Sequence, residues 1–99
     1  MIKHIVMWRI AANADGGKSA NAQEVKRRLE ALQGRIPGLL HIEVGINFVE
    51  DEQAADVVRI SEFTSREALE AYQIHPAHNE AAEFVKTVRS ERRVVDFEV

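Results

Sequence analysis

Apolar and polar residues alternate along Ile2-Lys3-His4-Ile5-Val6-Met7-Trp8-Arg9-Ile10. A strand sends successive side chains to opposite faces, so Ile2, Val6, Trp8 and Ile10 share one face with His4, and Ile5 and Met7 occupy the other. Both faces carry bulk, which predicts a central strand covered on both sides. Ala11 to Lys18, containing Asp15-Gly16-Gly17, reads as a loop. From about Asn21 the apolar spacing becomes helical: Val25, Leu29, Leu32 and Ile36 fall on one face, while Lys26, Arg27, Arg28 and Glu30 face water. Asn21 with Glu24 predicts a capping pair at the start of this helix, and Gly34 and Pro37-Gly38 predict its end.

Alternation returns over residues 40–49, with Ile42, Val44, Ile46 and Phe48 opposite His41, Glu43, Gly45 and Asn47. The acidic stretch Glu50-Asp51-Glu52-Gln53 is a turn. Residues 55–63 read as a third strand, with Val58 and Ile60 on one face and Val57 and Phe63 on the other. Thr64-Ser65-Arg66-Glu67 is a capping box opening a second helix from Ala68 to about Gln73. Pro76 cannot continue that helix, because it lacks an N–H and its ring clashes with the preceding turn. It suits the first turn of a new helix, which Ala81, Phe84, Val85 and Val88 carry forward. Arg92 to Val99 closes the chain as a fourth strand, with Val95, Phe97 and Val99 opposite Val94, Asp96 and Glu98.

The order strand–helix–strand–strand–helix–strand predicts an α+β fold: a ferredoxin-like sandwich with a four-stranded antiparallel sheet and its helices on one face. Connection rules then place the first strand between the third and fourth. Helices on one side leave the face bearing Ile5 and Met7 bare, so a second copy packing sheet to sheet, as a homodimer, is expected.

Composition narrows the class. Ninety-nine residues make one domain, 1–99, and 45% hydrophobic with 29% charged residues is a globular balance rather than a disordered one. The absence of cysteine excludes a disulfide framework, thiolate metal sites and cysteine nucleophiles, and agrees with a cytoplasmic location. A net charge of −3 supplies no basic field for nucleic acid, and Lys26-Arg27-Arg28 reads as a solvated helix face. No apolar run is long enough to span a membrane, and the opening segment is too interrupted by charge to read as a signal peptide. The glycine spacing around Asp15-Gly16-Gly17-Lys18 does not fit a phosphate-binding loop.

Candidate chemistry concentrates in two places. Three of the four histidines and the only tyrosine lie in Lys3-His4-Ile5-Val6 and in Ala71-Tyr72-Gln73-Ile74-His75-Pro76-Ala77-His78, the second being the forced break before Pro76. A histidine titrates near neutrality and suits proton removal beside a carbonyl; a tyrosine hydroxyl in an apolar pocket suits holding the resulting oxyanion. Antiparallel pairing of the first and last strands brings His4 toward Asp96, whose carboxylate can fix an imidazole tautomer. Other readings of these residues stay open. His75 can cap a helix end, His78 can be an ordinary partly exposed residue, and Tyr72 can place its ring in the core with its hydroxyl wet. His4 can be a hydrogen-bonded strand residue, and His41 reads as surface. His75-x-x-His78 has metal-ligand spacing but no third ligand, so no metal is expected.

The opening segment Ile2–Arg9, Ile36-Pro37-Gly38-Leu39 leading to Glu43-Val44-Gly45, the segment Tyr72–His78 and Val94-Val95-Asp96-Phe97 together resemble the stress-responsive dimeric α/β-barrel family. The likeness runs nearly end to end, interrupted mainly at residues 12–20. It implies a ferredoxin-like unit that dimerises into a β-barrel and works without a cofactor. Most members resembling this chain have no established activity, while one plant branch contains a polyketide cyclase that catalyses an intramolecular aldol condensation. In that enzyme the Tyr and the last His of Tyr-x-x-His-Pro-x-His are the acid/base pair. The resemblance therefore implies Tyr72 and His78 as catalytic residues, His4 and Asp96 as their support, and His4, Val57, Tyr72 and His75 as substrate contacts. Val57 stands where the cyclase has a further pocket histidine, which implies a less polar pocket and a different substrate. The expected functions are cofactor-independent acid/base chemistry on a carbonyl or polyketide-like small molecule, or a non-catalytic ligand-binding or stress-related dimer. A cofactor-free monooxygenase of the dimeric-barrel type is supported by fold likeness alone.

Overall fold

The computed structural model describes residues 1–13 and 16–99. Ala14 and Asp15 of the expected loop lie outside the described residues. The elements run β1 (Ile2–Ile10), α1 (Lys18–Glu30), β2 (Leu39–Ile46), β3 (Val57–Phe63), α2 (Arg66–Gln73), α3 (Pro76–Val88) and β4 (Arg89–Glu98). The four strands form one antiparallel sheet in the order β2-β3-β1-β4, the ferredoxin-like arrangement. Every second residue of β1, namely Ile2, His4, Val6, Trp8 and Ile10, is buried. These side chains meet Val25, Leu29 and Leu32 of the first helix and its exit, Leu69 and Tyr72 of α2, and Ala81, Val85 and Val88 of α3 in one core.

Several boundaries differ from expectation, each for a local reason. α1 starts at Lys18, with Gly17 as its cap through the backbone alone. Asn21 is not the cap. It is buried inside the first turn, and its Nδ2 donates to the carbonyl of Ala11 at 2.8 Å, tying the loop to the helix. Glu24 turns instead to Arg27 and Arg28, three and four residues on. β2 stops at Ile46 because Asn47 folds into an Asx turn, its Oδ1 accepting from the Val49 N–H at 3.0 Å. Phe48, expected to continue the face of Ile42 and Val44, therefore lies beyond the strand and is 94% exposed. β3 begins only at Val57; the carboxylate of Asp56 just before it accepts from the Ile10 N–H and pairs with the ammonium of Lys18. α2 is capped by Ser65 rather than Thr64, its side chain accepting from the Ala68 N–H. β4 starts three residues earlier than expected, directly from the end of α3.

Gly38 turns the chain into β2 with φ of +82°, a conformation that favours glycine. A Cβ there would lie 2.6 Å from the Cβ of Ala68 on α2. Gly38→Ala combines backbone strain with overpacking and is expected to destabilise the domain by about 2–4 kcal/mol. Urea unfolding should show a lower midpoint with an unchanged slope; an unshifted midpoint would mean that α2 is not held against this turn.

The face away from the helices is open. Cross-strand register sets Ile60, Ile5 and Val95 in one row across β3, β1 and β4, with Met7 beside Val58 in the next. Met7, Val95 and Phe97 remain 41%, 50% and 44% exposed in the single chain. Lys3–Glu62 and Arg9–Glu91 ion pairs flank this apolar band.

Candidate active site

Under the helices, polar side chains from four elements form one chain of hydrogen bonds. His4 on β1 and Asp96 on β4 are direct cross-strand partners, and Arg59 on β3 lies diagonally from His4, opposite Val6. Arg59 is 3% exposed and His4 1% exposed. The Arg59 Nη2 donates to His4 Nε2, and His4 Nδ1 bonds the Asp96 carboxylate. A guanidinium has donors only, so Nε2 must be the accepting nitrogen and Nδ1 must carry the proton. His4 is thus the neutral Nδ1–H tautomer, with both ring nitrogens engaged. Its pKa is lowered to about 4, chiefly by burial and then by the Arg59 charge, against the opposing pull of Asp96. The Ser61 hydroxyl adds a bond to the His4 carbonyl at 3.1 Å.

At the other end of the guanidinium, Arg59 Nη1 donates to the Tyr72 hydroxyl at 2.7 Å. Tyr72 closes the last turn of α2 and is fully buried, its ring 4.9 Å from Phe63 and 4.3 Å from His78 between centroids. Burial pushes its pKa up, and the Arg59 charge offsets part of that rise. The hydroxyl therefore keeps its proton at neutral pH and, while accepting from Arg59, can still donate.

His78 sits in the first turn of α3, which Pro76 opens. Its Nδ1 is buried without a hydrogen-bond partner among the described residues. Burial lowers its pKa, the Arg59 charge lowers it further, and the polar groups of Asn79 and Gln73 oppose this. The ring is consequently neutral at pH 7, and one of its two nitrogens carries a lone pair. His75, by contrast, is the N-cap of α3: its Nδ1 accepts from the Ala77 N–H at 3.0 Å, so it holds the start of this helix rather than the end of the preceding one.

A cavity of about 260 Å³ adjoins these groups, lined by Trp8, Leu29, Arg59, His78, Val85 and Arg92 among others. Of the residues singled out from the sequence, His78 alone lines it. Tyr72 lies behind, in contact with the His78 ring and the Arg59 guanidinium. Asp96 borders a separate cleft with Leu69 and Gln73. Val57 is buried on the helix-facing side of β3 and is not among the residues lining the cavity. His41 is exposed, 3.5 Å from Glu43. Among the described residues no three His, Cys, Asp or Glu side chains are placed to hold a metal ion. The residue that sequence reasoning missed is Arg59. Its signal was present: alternation puts it on the same face of β3 as Val57 and Phe63, a charge on a buried face.

A ferredoxin-like α+β domain with a cation-centred polar site beneath its helices is the class that this fold and geometry define. Residues 2–99 match the Stress responsive A/B Barrel Domain, and the chain belongs to that family. No curated protein matches it. Among solved structures it is similar to a dimeric ferredoxin-like protein of unknown function from Bacteroides fragilis, 27% identical with a TM-score of 0.83, over 99% of this chain and 95% of that one. It is also similar in fold to hydroxynitrile lyase from Passiflora edulis, 15% identical with a TM-score of 0.80, over 99% of this chain and 92% of that one. The cofactor-independent oxygenase SnoaB from Streptomyces nogalater is 14% identical with a TM-score of 0.73, over 99% of this chain and 91% of that one. Among the described residues no helix is long and apolar enough to cross a membrane.

Proposed function

We propose that this protein is a homodimer whose helix-covered cavity carries out cofactor-independent acid/base chemistry on a small carbonyl compound. His78 is the base and Tyr72, held by Arg59, the proton donor. The observation that carries this reading is the unpartnered, neutral His78 Nδ1 packed on a protonated tyrosine whose oxygen a buried guanidinium already polarises. His78 removes a proton from the carbon beside a carbonyl, and the electron pair moves into an enolate whose developing oxyanion accepts a hydrogen bond from the Tyr72 hydroxyl. The enolate carbon then attacks a second carbonyl of the same molecule, forming a C–C bond, and the new alkoxide takes its proton from Tyr72. The Tyr72 oxygen, beside Arg59, is reprotonated from the imidazolium directly or through water. His4 and Asp96 are positioning residues: with both its ring nitrogens bonded, His4 orients Arg59 and has no free nitrogen for substrate.

Deuterium uptake at the α-carbon of acetylacetone and of 3-oxohexanoate, followed by proton NMR in D2O, tests the first step without requiring a known product. Wild-type protein should accelerate exchange above buffer. His78→Ala should lose about 10²–10⁴-fold of that acceleration, and Tyr72→Phe about 10²-fold. The full burial of Tyr72 favours a second reading, in which the same residues only shape a binding cavity. Exchange no faster than buffer, or equal in all three proteins, would support that second reading against the first.

A further inference from the structure

Arg59 is an anomaly as a structural residue. A guanidinium stays charged under any ordinary condition, and a buried charge normally has a carboxylate against it. Here both bonded partners are neutral, the Tyr72 hydroxyl and the His4 ring, and the Arg59 Nε is buried with no partner at all. Asp96, the carboxylate of the network, is bonded to the far nitrogen of His4 rather than to Arg59.

The cavity into which Arg59 opens repeats the imbalance. Lys86, Arg89 and Arg92 line it together with Arg59, and none of its lining residues is acidic. None of these cations is in an ion pair among the described residues. The remaining wall is apolar, formed by Trp8, Leu29, Ala82 and Val85. We propose that this cavity binds a small organic anion, its carboxylate seated against Arg59 with Lys86, Arg89 and Arg92 around it and a short hydrocarbon body against Trp8 and Leu29. A bound carboxylate would set a negative charge against a guanidinium that faces no carboxylate directly among the described residues. Inorganic phosphate would satisfy the same cations but leave the apolar wall unused. A volume of about 260 Å³ is at the small end of ligand cavities, which restricts the body to a few carbons. The inference names the ligand class of the cavity used in the proposed reaction, yet it concerns binding and holds whether or not His78 moves a proton.

Trp8 is the chain's single tryptophan and lines the cavity, so its fluorescence reports occupancy directly. Titration with hexanoate should give a saturable change, and hexanamide, of the same shape without the charge, should bind at least about tenfold more weakly. Arg59→Met should lose this preference, since the cation that seats the carboxylate is gone while the apolar wall remains. Arg92→Ala should keep most of it. Equal binding of hexanoate and hexanamide to the wild type, or no saturable binding of hexanoate, would overturn the proposal without requiring any variant to fold. Displacement of hexanoate by inorganic phosphate at equal concentration would also overturn it, by showing a general anion site. Retention of the preference in Arg59→Met with its loss in Arg92→Ala would overturn the role given to Arg59.

Discussion

His4→Ala is expected to cost the domain about 3–5 kcal/mol, a large share of the roughly 5–15 kcal/mol that holds a domain of this kind folded. His4 joins the Arg59 guanidinium to the Asp96 carboxylate through its two ring nitrogens, and is itself 1% exposed. Removing the ring leaves a cavity in the core and strips a buried cation of one of its two bonded partners. The wild type should carry a matching pH signature. The unfolded chain protonates His4 near 6.5, whereas in the fold its pKa is about 4. Between those values the unfolded state binds the extra proton, so stability falls as pH falls through this window, and the contribution is fully lost below about pH 4. A shift of this size is worth about 3 kcal/mol. Urea unfolding of both proteins at pH 7.5 and pH 5 measures both effects. The wild type should lose stability on acidification, and His4→Ala should start lower and lose less. A variant as stable as the wild type, with the same pH slope, would show that the network carries no such energy.

Val95→Asp is expected to abolish the proposed dimer while leaving the single chain folded. Val95 is half exposed on the open sheet face, so a carboxylate there stays hydrated in the monomer and changes its stability little. In a twofold dimer packed through the row of Ile60, Ile5 and Val95 the substitution occurs twice, and each copy buries an unpaired charge. A combined penalty of about 4 kcal/mol raises the dissociation constant about 10³-fold. Sedimentation velocity at micromolar concentration should show a dimeric wild type and a monomeric variant with an unchanged circular dichroism spectrum. A wild type that sediments as a monomer, or a variant that remains a dimer, would remove the sheet face as the interface.

What could be read before the structure follows the range of the interactions concerned. The two-faced alternation of β1 announced a central strand, and the strand lies between β3 and β4. Pro76 announced the break between α2 and α3, because its geometry depends on no distant residue. Antiparallel pairing was enough to bring His4 to Asp96. Asn21 misled because the motif describes a local competition among caps. The competition was decided by Gly17 and by the carbonyl of Ala11, ten residues from Asn21. Phe48 misled because alternation continues in the sequence after the strand has lost its partner. Arg59 was passed over because its meaning lies in register: only when β3 is set against β1, with Arg59 opposite Val6, does it reach His4 on one side and Tyr72 on the other.

The proposed base is a neutral, partly buried histidine beside a buried guanidinium. The pH dependence of α-deuterium uptake by the wild type, taken as the second-order rate per protein with 3-oxohexanoate, tests it most directly. The rate should fall on the acid side with the titration of His78, whose pKa burial and the charges of Arg59 and Arg92 hold below the ordinary 6.5. An acidic limb with its midpoint below 6.5 is expected in the wild type and should disappear in His78→Ala. A midpoint at or above 6.5, or a limb that survives in His78→Ala, would contradict it.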